Sequence, residues 1–233
     1  MPNHTVIYNT QADTYDQLIS KQRSLLRLIE AVRPAAGLDA LDLGAGTGRF
    51  SMALAPAVRS LVALDASEAM LRITAAKLAE AGHANWRTET ADHRSLPVAD
   101  SAVDLVVSGW SICYIASSNV ADWQRNLQQT MAEIDRVLKP DGTVIVFETM
   151  GTGVEQPQPP DFLNAYYRQL EETYGFTRAV HRTDYRFDSP EEAERLTRFF
   201  FGDTLAEAVR HHRWSIVPEC AGMWWRHGQL SNG

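Results

Sequence analysis

Between Leu38 and about Thr149 the chain alternates short apolar runs with stretches of helical periodicity. ALDL (40–43), SLVALD (60–65), NWRTET (85–90), VDLVVSG (103–109) and TVIVFE (143–148) read as five strands. Between them lie helical patterns at about 49–57, 68–81 and 121–138. Ser67 is placed to cap the second of these and Gly82 to end it. The third repeats Trp123, Leu127, Met131, Ile134, Val137 and Leu138 on one face and stops before Pro140–Asp141–Gly142, which reads as a turn. Strands that are apolar almost throughout fit a sheet covered on both faces. Regular strand–helix alternation predicts parallel strands joined by right-handed crossovers, a doubly wound α/β sheet.

Outside that core the pattern changes. The N-terminal segment, residues 1–37, predicts a helical cap with Leu18, Leu25, Leu28, Ile29 and Val32 on its apolar face. GTGVEQPQPP (151–160) reads as a loop and 161–174 as an aromatic-faced helix. Two more strands are predicted near 178–188 and 213–226, with helices between them. No composition break demands a second domain. The reading is therefore one domain over 1–233: the cap (1–37), a ligand-binding core (38–149), a substrate-side insertion or lid (150–190), and C-terminal helices with the last strand (191–233).

Composition narrows the function classes. A net charge of −7 argues against a general nucleic-acid surface, which needs clustered Lys and Arg. Cys113 and Cys220 are far apart and have no metal-ligand neighbours, so they read as two reduced thiols and no metal site is expected. The N-terminus carries no charged n-region or apolar h-region, and no apolar run approaches the roughly 20 residues that span a bilayer. A cytoplasmic protein with no membrane insertion is the expectation.

The candidate chemistry sits in LDLGAGTGRF (41–50), between the first strand and its helix. Gly44, Gly46 and Gly48 allow a sharp bend and close approach to a ligand at the sheet edge where doubly wound folds bind ligands. The G-x-G-x-G spacing departs from the G-x-G-x-x-G of dinucleotide sites. Asp42 would repel a pyrophosphate and suits a ligand ammonium group, so a zwitterionic amino-acid ligand is favoured. Asp65, ending the second strand, is placed to accept from ribose hydroxyls. Asp92, after the third, is placed to accept from an adenine amino group.

LDLGAGTGRF, VALDASEAML, ADHRSLPVADSAVDLVVS and EIDRVLKPDGTVIVFE, in that order and spacing, resemble the class I S-adenosylmethionine-dependent methyltransferases. The nearest type is methyltransferase type 11, the ubiquinone/menaquinone-biosynthesis kind. The resemblance is strong over 38–149 and weak elsewhere. It implies a Rossmann-like methyltransferase fold with a seven-stranded, mostly parallel sheet in the order 3-2-1-4-5-7-6, the seventh strand antiparallel. It implies S-adenosyl-L-methionine as cofactor. Gly44, Ala45 and Gly46 would pack on its methionine part, with Gly48 completing the loop. Asp65 and the following Ala66 would meet the ribose, and Met70 the adenine face. Asp92 and the His93 amide would read the adenine edge, and the Ser108 carbonyl would take the ammonium group. YNTQADTYDQL resembles the lead-in that closes over the cofactor in many members, which would turn Tyr8 and Tyr15 toward the sulfonium or carboxylate.

Methyl transfer is an in-line displacement, and alignment of the reacting atoms supplies much of the rate. A base is needed only for a protonated acceptor, so no catalytic residue is assigned. Tyr8, Trp110, Tyr114, Tyr166 and His181 are acceptor-pocket candidates, and the acceptor is expected to be a small molecule methylated on O, N or C. The competing readings are a non-catalytic S-adenosylmethionine-binding module and an NAD(P)-dependent oxidoreductase.

Overall fold

The computed structural model describes residues 2–228, so Met1 and residues 229–233 at the two ends of the expected single domain lie outside it. Seven strands form one sheet: β1 (Asp39–Leu43), β2 (Ser60–Asp65), β3 (Trp86–Thr90), β4 (Val103–Gly109), β5 (Leu138–Thr152), β6 (Thr177–Arg182) and β9 (Glu219–His227). Their order is β3-β2-β1-β4-β5-β9-β6. The pairs from β3 to β5 are parallel, and β9 runs antiparallel to both neighbours. This is the order the resemblance implied. A two-stranded ribbon, β7 (Tyr185–Arg186) with β8 (Ile216–Val217), interrupts the numbering.

Side-chain alternation explains why the central strands are apolar throughout. Leu41, Leu43, Val106, Val144 and Val146 enter one core, beneath α7 (Trp123–Val137) and α8 (Asp161–Glu172). Ala40, Leu105, Val107, Ile145 and Phe147 enter the other, against α3 (Leu26–Val32) and α4 (Arg49–Leu54). Leu163, Tyr166, Tyr167 and Leu170 bury one face of α8 beside Trp224, so most of that helix is core. The helix α5 (Glu68–Glu80) starts as the sequence predicts: Ser67 Oγ accepts from the Met70 amide at 3.4 Å, and Gly82 follows its end with φ +75°.

Two expectations need correction. Pro140–Asp141–Gly142 is not a turn between elements but part of a long β5. Against β4 the pairing jumps from Val103↔Leu138 to Leu105↔Thr143, so these residues form an irregular bulge within the strand. Lys139 holds it from below, donating to Asp39 at 3.0 Å and Asp104 at 2.9 Å, and the Gly228 amide donates to the Gly142 carbonyl. Both predicted C-terminal strands are split: 178–188 becomes β6 and β7, which belong to different sheets, and in 213–226 Arg213 ends a helix with φ +53° and Pro218 separates β8 from β9.

The N-terminal segment is a train of short helices, α1 (His4–Thr10), α2 (Ala12–Ile19) and α3. The first two join α9 (Pro190–Phe201), α10 (Asp203–His212) and the β7–β8 ribbon in a third apolar cluster built on Ile7, Leu18, Tyr185, Leu196, Phe200 and Val209. This layer caps the carboxyl edge of the sheet. Lys77 ties it to the glycine loop, bonding Asp16 at 2.8 Å and the Thr47 carbonyl at 2.9 Å.

Gly109, the last residue of β4, has no room for a side chain: an added Cβ would lie 2.2 Å from the Phe50 ring, which is stacked on Phe147. Gly109→Ala is expected to cost about 1–3 kcal/mol by overpacking. At roughly 2–4 °C per kcal/mol for a chain of this size, calorimetry should show a clear drop in Tm; an unchanged Tm would contradict this packing.

Candidate functional site

The carboxyl ends of β1, β2 and β4 converge with the cap on a cavity of about 320 Å³. The glycine loop forms its floor. Gly44, Gly46 and Gly48 all have positive φ (78°, 56° and 91°), the left-handed region that a side chain disfavours. A Cβ on Gly44 would fall 1.9 Å from Ser111 Oγ, so bare backbone is required there. Gly44 and Gly46 line the cavity; Gly48 instead packs on Thr74, and Ala45 borders a small pocket of about 30 Å³ behind the loop.

Asp65 fixes the loop. Its Oδ2 accepts from the Gly46 amide at 2.9 Å and its Oδ1 from the Ser67 amide at 2.8 Å, while burial pushes its pKa upward. Ala66, Ser67 and Met70 continue the wall from Asp65, and the Met70 methyl reaches over Gly46. Asp92 and His93 stand at the opposite end. Both Asp92 oxygens already accept from Arg94, at 2.8 and 2.6 Å, which holds the carboxyl at about 2. Desolvation lowers His93 to about 4, and its Nε2 lies 2.8 Å from Ser111 Oγ. Neither Asp42 nor Ser108 lines this cavity. Asp42 is fully buried on the apolar face of β1, accepts from Ser51 at 2.6 Å through Oδ2, and leaves Oδ1 without a partner. Ser108 Oγ donates to the Leu43 carbonyl, tying β4 to β1.

A second cavity of about 560 Å³ adjoins the first between sheet edge and cap. Thr5, Tyr8, Tyr15, Trp110 and Tyr114 line both. His4 Nε2 lies 3.0 Å from the Phe200 carbonyl, which only accepts, so that nitrogen carries the proton. His4 Nδ1 then accepts from the Tyr114 hydroxyl at 2.8 Å, and Tyr8 donates to Tyr114 at 2.6 Å. The imidazole stacks on Phe200 at 4.2 Å. This chain fixes the tyrosine rings at the junction. Burial raises the pKa of Tyr15 to about 12 and lifts Tyr8 and Tyr114 as well, so all three are neutral phenols. Trp110 holds a left-handed backbone (φ +49°), a strained position for a bulky residue, with its amide bonded to the Phe147 carbonyl at 2.7 Å.

Of the predicted acceptor-side residues, the structure brings Tyr8, Trp110 and Tyr114 together but not Tyr166 or His181. Tyr166 is wholly buried and donates to Glu148 at 3.3 Å; His181 lies on β6 and lines neither cavity. From α8 only the leading end, with Phe162 and Leu163, reaches the second cavity. The sequence reading missed His4, Arg49, Ser111 and Glu219. Two of them carried a signal: Arg49 directly follows the loop glycines, and Glu219 is a lone acid opening an apolar strand. Among the described residues no cluster suited to a metal ion occurs.

Comparison with known proteins bears on what fills this site. Residues 41–146 match the family described as methyltransferase domain. Malonyl-(acyl-carrier protein) O-methyltransferase of Pectobacterium atrosepticum is 37% identical over 148 residues, covering 63% of this chain and 52% of that protein. Demethylmenaquinone methyltransferase of Shouchella clausii is 35% identical over 135 residues, covering 57% and 52%. The chain thus spans about half the length of the curated relatives it matches. Among solved structures, the YcgJ protein of Bacillus subtilis superposes with a TM-score of 0.63 at 17% identity, covering 89% of this chain and 99% of that one, a likeness of fold.

Burial raises Asp42 and Glu148 to about 7 and Glu219 to about 8. Unfolded carboxyls titrate near 4, so between about pH 4 and 8 the native chain holds protons that the unfolded chain has released, and its stability falls as pH rises. Burial raises Asp65 too and so adds to this fall, while His93, lowered to about 4, and His4, also lowered, oppose it only below about pH 6.5. The Tm of the ligand-free protein should therefore decline from pH 5 to pH 8, and less steeply in Glu148→Gln; a flat or rising profile would contradict the buried acids.

Proposed function

We propose that the chain, whose residues 41–146 match the methyltransferase-domain family, transfers a methyl group from S-adenosylmethionine, seated in the first cavity, to a small molecule seated in the second. The observation that carries this reading is the junction itself: two cavities that share one rim of aromatic side chains, one walled by the glycine loop and Asp65, the other mainly apolar.

The residues present fit the cofactor. Asp65 keeps lone pairs free beside the cavity after accepting its two amides, as a ribose diol requires. Met70 offers an apolar face and Asp92 an acidic edge for an adenine. The bare backbone at Gly44 and Gly46 admits close approach by an amino-acid moiety, and Asp42, beneath the loop with an unpaired oxygen, fits as a group acting on its ammonium through water. When bound, the cofactor supplies an electrophilic methyl on a sulfonium. The tyrosine rim suits that charge: a cation over an aromatic face gains about 0.5–2 kcal/mol. Neutral phenols do this without offering a competing nucleophilic phenolate.

The second cavity falls within the roughly 300–1,000 Å³ range of small-ligand sites. Its residues have the task of holding an acceptor in line and keeping water out. The ring contacts of Phe200, Tyr15 and Tyr8, at 5.1–6.3 Å, close the cap side. A net charge of −7 gives little support to a nucleic-acid acceptor. Two unpaired cysteines accord with a cytoplasmic setting.

S-adenosylmethionine and S-adenosylhomocysteine should both bind in calorimetry, and Asp65→Ala should weaken each by about 10- to 150-fold, the loss of charge-assisted hydrogen bonds. Absence of binding at millimolar concentration, or an Asp65→Ala variant that binds as tightly as the wild type, would overturn the assignment.

A further inference from the structure

The apolar second cavity has one polar corner, where α4, β5, β7 and β9 meet. Arg49 reaches it from just beyond the glycine loop, lying 4.3 Å over the Trp110 ring. Its Nη1 is buried and has no hydrogen-bond partner, and no ion pair to Arg49 forms among the described residues. The ring quadrupole attracts the guanidinium but supplies no hydrogen-bond acceptor or counter-charge to the buried Nη1. A half-buried cation with a buried, unpartnered donor is an incomplete arrangement. Glu219, only 2% exposed, faces the same corner. Its Oε1 accepts from Thr149 at 3.3 Å while its Oε2 has no partner.

We propose that this corner is an oxyanion seat: Arg49 and Glu219 bind the methyl acceptor through a carboxylate, phenolate or enolate oxygen, with the acceptor's apolar body against Phe162, Leu163 and Phe201. This rests on the assignment of the second cavity to the acceptor. It adds the acceptor's class, a weak oxygen acid rather than an amine.

Charge decides between the two classes. Glu219 is faced by Thr149 and Thr152 on β5, Asp184 and Tyr185 at the ribbon, Arg49 on α4 and Tyr167 on α8. Burial outweighs the Arg49 cation and keeps the carboxyl protonated to about pH 8. Near neutrality the corner therefore offers the cavity N–H donors from Arg49 and a carboxylic O–H, while the neighbouring Asp184 carboxylate lies outside the cavity lining and is paired with Arg182 at 2.9 Å. A bound oxyanion accepts from both and neutralises the guanidinium. An ammonium would meet a bare cation with no anion in the cavity lining to offset it.

A carboxylate could also reach Arg49 from the cofactor side, because the guanidinium borders the 30 Å³ pocket behind the glycine loop. The two sources share one chemistry and separate in a binding experiment. With the full chain saturated by S-adenosylhomocysteine, 2-naphthoate and 2-naphthylmethylamine are titrated calorimetrically at pH 7. The naphthoate should bind at least about tenfold more tightly. Arg49→Met should abolish that preference while S-adenosylhomocysteine affinity stays within about twofold, which also reports that the variant is folded. Glu219→Gln, which keeps a donor, should retain naphthoate binding and remove its decline above pH 8. The seat is refuted by an amine that binds as well as the acid, by no naphthoate binding at millimolar concentration while the homocysteine binds, or by an Arg49→Met variant that loses the homocysteine and keeps the naphthoate. Should S-adenosylhomocysteine itself fail to bind, the methyltransferase reading falls, and the naphthoate preference measured on the cofactor-free chain still decides the seat.

Discussion

The site depends on one contact, the hydrogen bond from the Gly46 amide to the Asp65 carboxylate at 2.9 Å. It joins the end of β2 to the bend that follows β1, and those two strands are already in register over five residue pairs. The Leu64 carbonyl, one residue earlier, accepts from the Gly44 and Ala45 amides, both at 2.8 Å. The loop is thus held from one side by β2 while its other side stays bare. Only glycine permits this at Gly44, where a side chain would occupy the space of Ser111. The acceptor oxygens of Asp65 and an unpaired oxygen on Asp42 give the bend a character suited to a cationic amino-acid ligand, not a pyrophosphate.

Everything beyond the loop extends that arrangement outward. The cap closes over it through Lys77, which bridges α2 to the loop carbonyl of Thr47. The hydrogen-bonded series Tyr8–Tyr114–His4–Phe200 links α1, the segment after β4, and α9, so three distant parts of the chain set one wall. That wall stands between a smaller chamber bordered by Asp65 and Asp92 and a larger one lined mainly by apolar side chains. Methyl transfer needs such a division: a bound donor on one side, an acceptor on the other, and water excluded between them. The proposed roles of the two chambers follow from the wall more than from any single residue.

Much of this was legible in the sequence because it is local. The strands β1, β2 and β4 were recognisable as continuous apolar runs, and Ser67 and Gly82 mark the limits of α5 by capping chemistry. Asp65 was legible because its distance from the glycine loop is fixed by one helix and one strand. What could not be read depends on contacts between remote segments. Glu219 meets Arg49 at one cavity although 170 positions separate them. His4 acts through Phe200. Tyr166 and His181 looked like pocket residues by composition, yet α8 turns its aromatic face into the core, and β6 lies at the far edge of the sheet. The bulge at Pro140–Gly142 escaped because turn-forming residues were held in a strand by the Lys139 ion pairs with Asp39 and Asp104, which sequence proximity does not reveal.

A crystal structure with S-adenosylhomocysteine tests the central claim most directly. The ligand should lie with its ribose hydroxyls on Asp65, its adenine between Met70 and Asp92, and its sulfur at the rim formed by Tyr8, Tyr15 and Tyr114, facing the larger chamber. Ligand density elsewhere, or a sulfur turned away from that rim, would contradict the account.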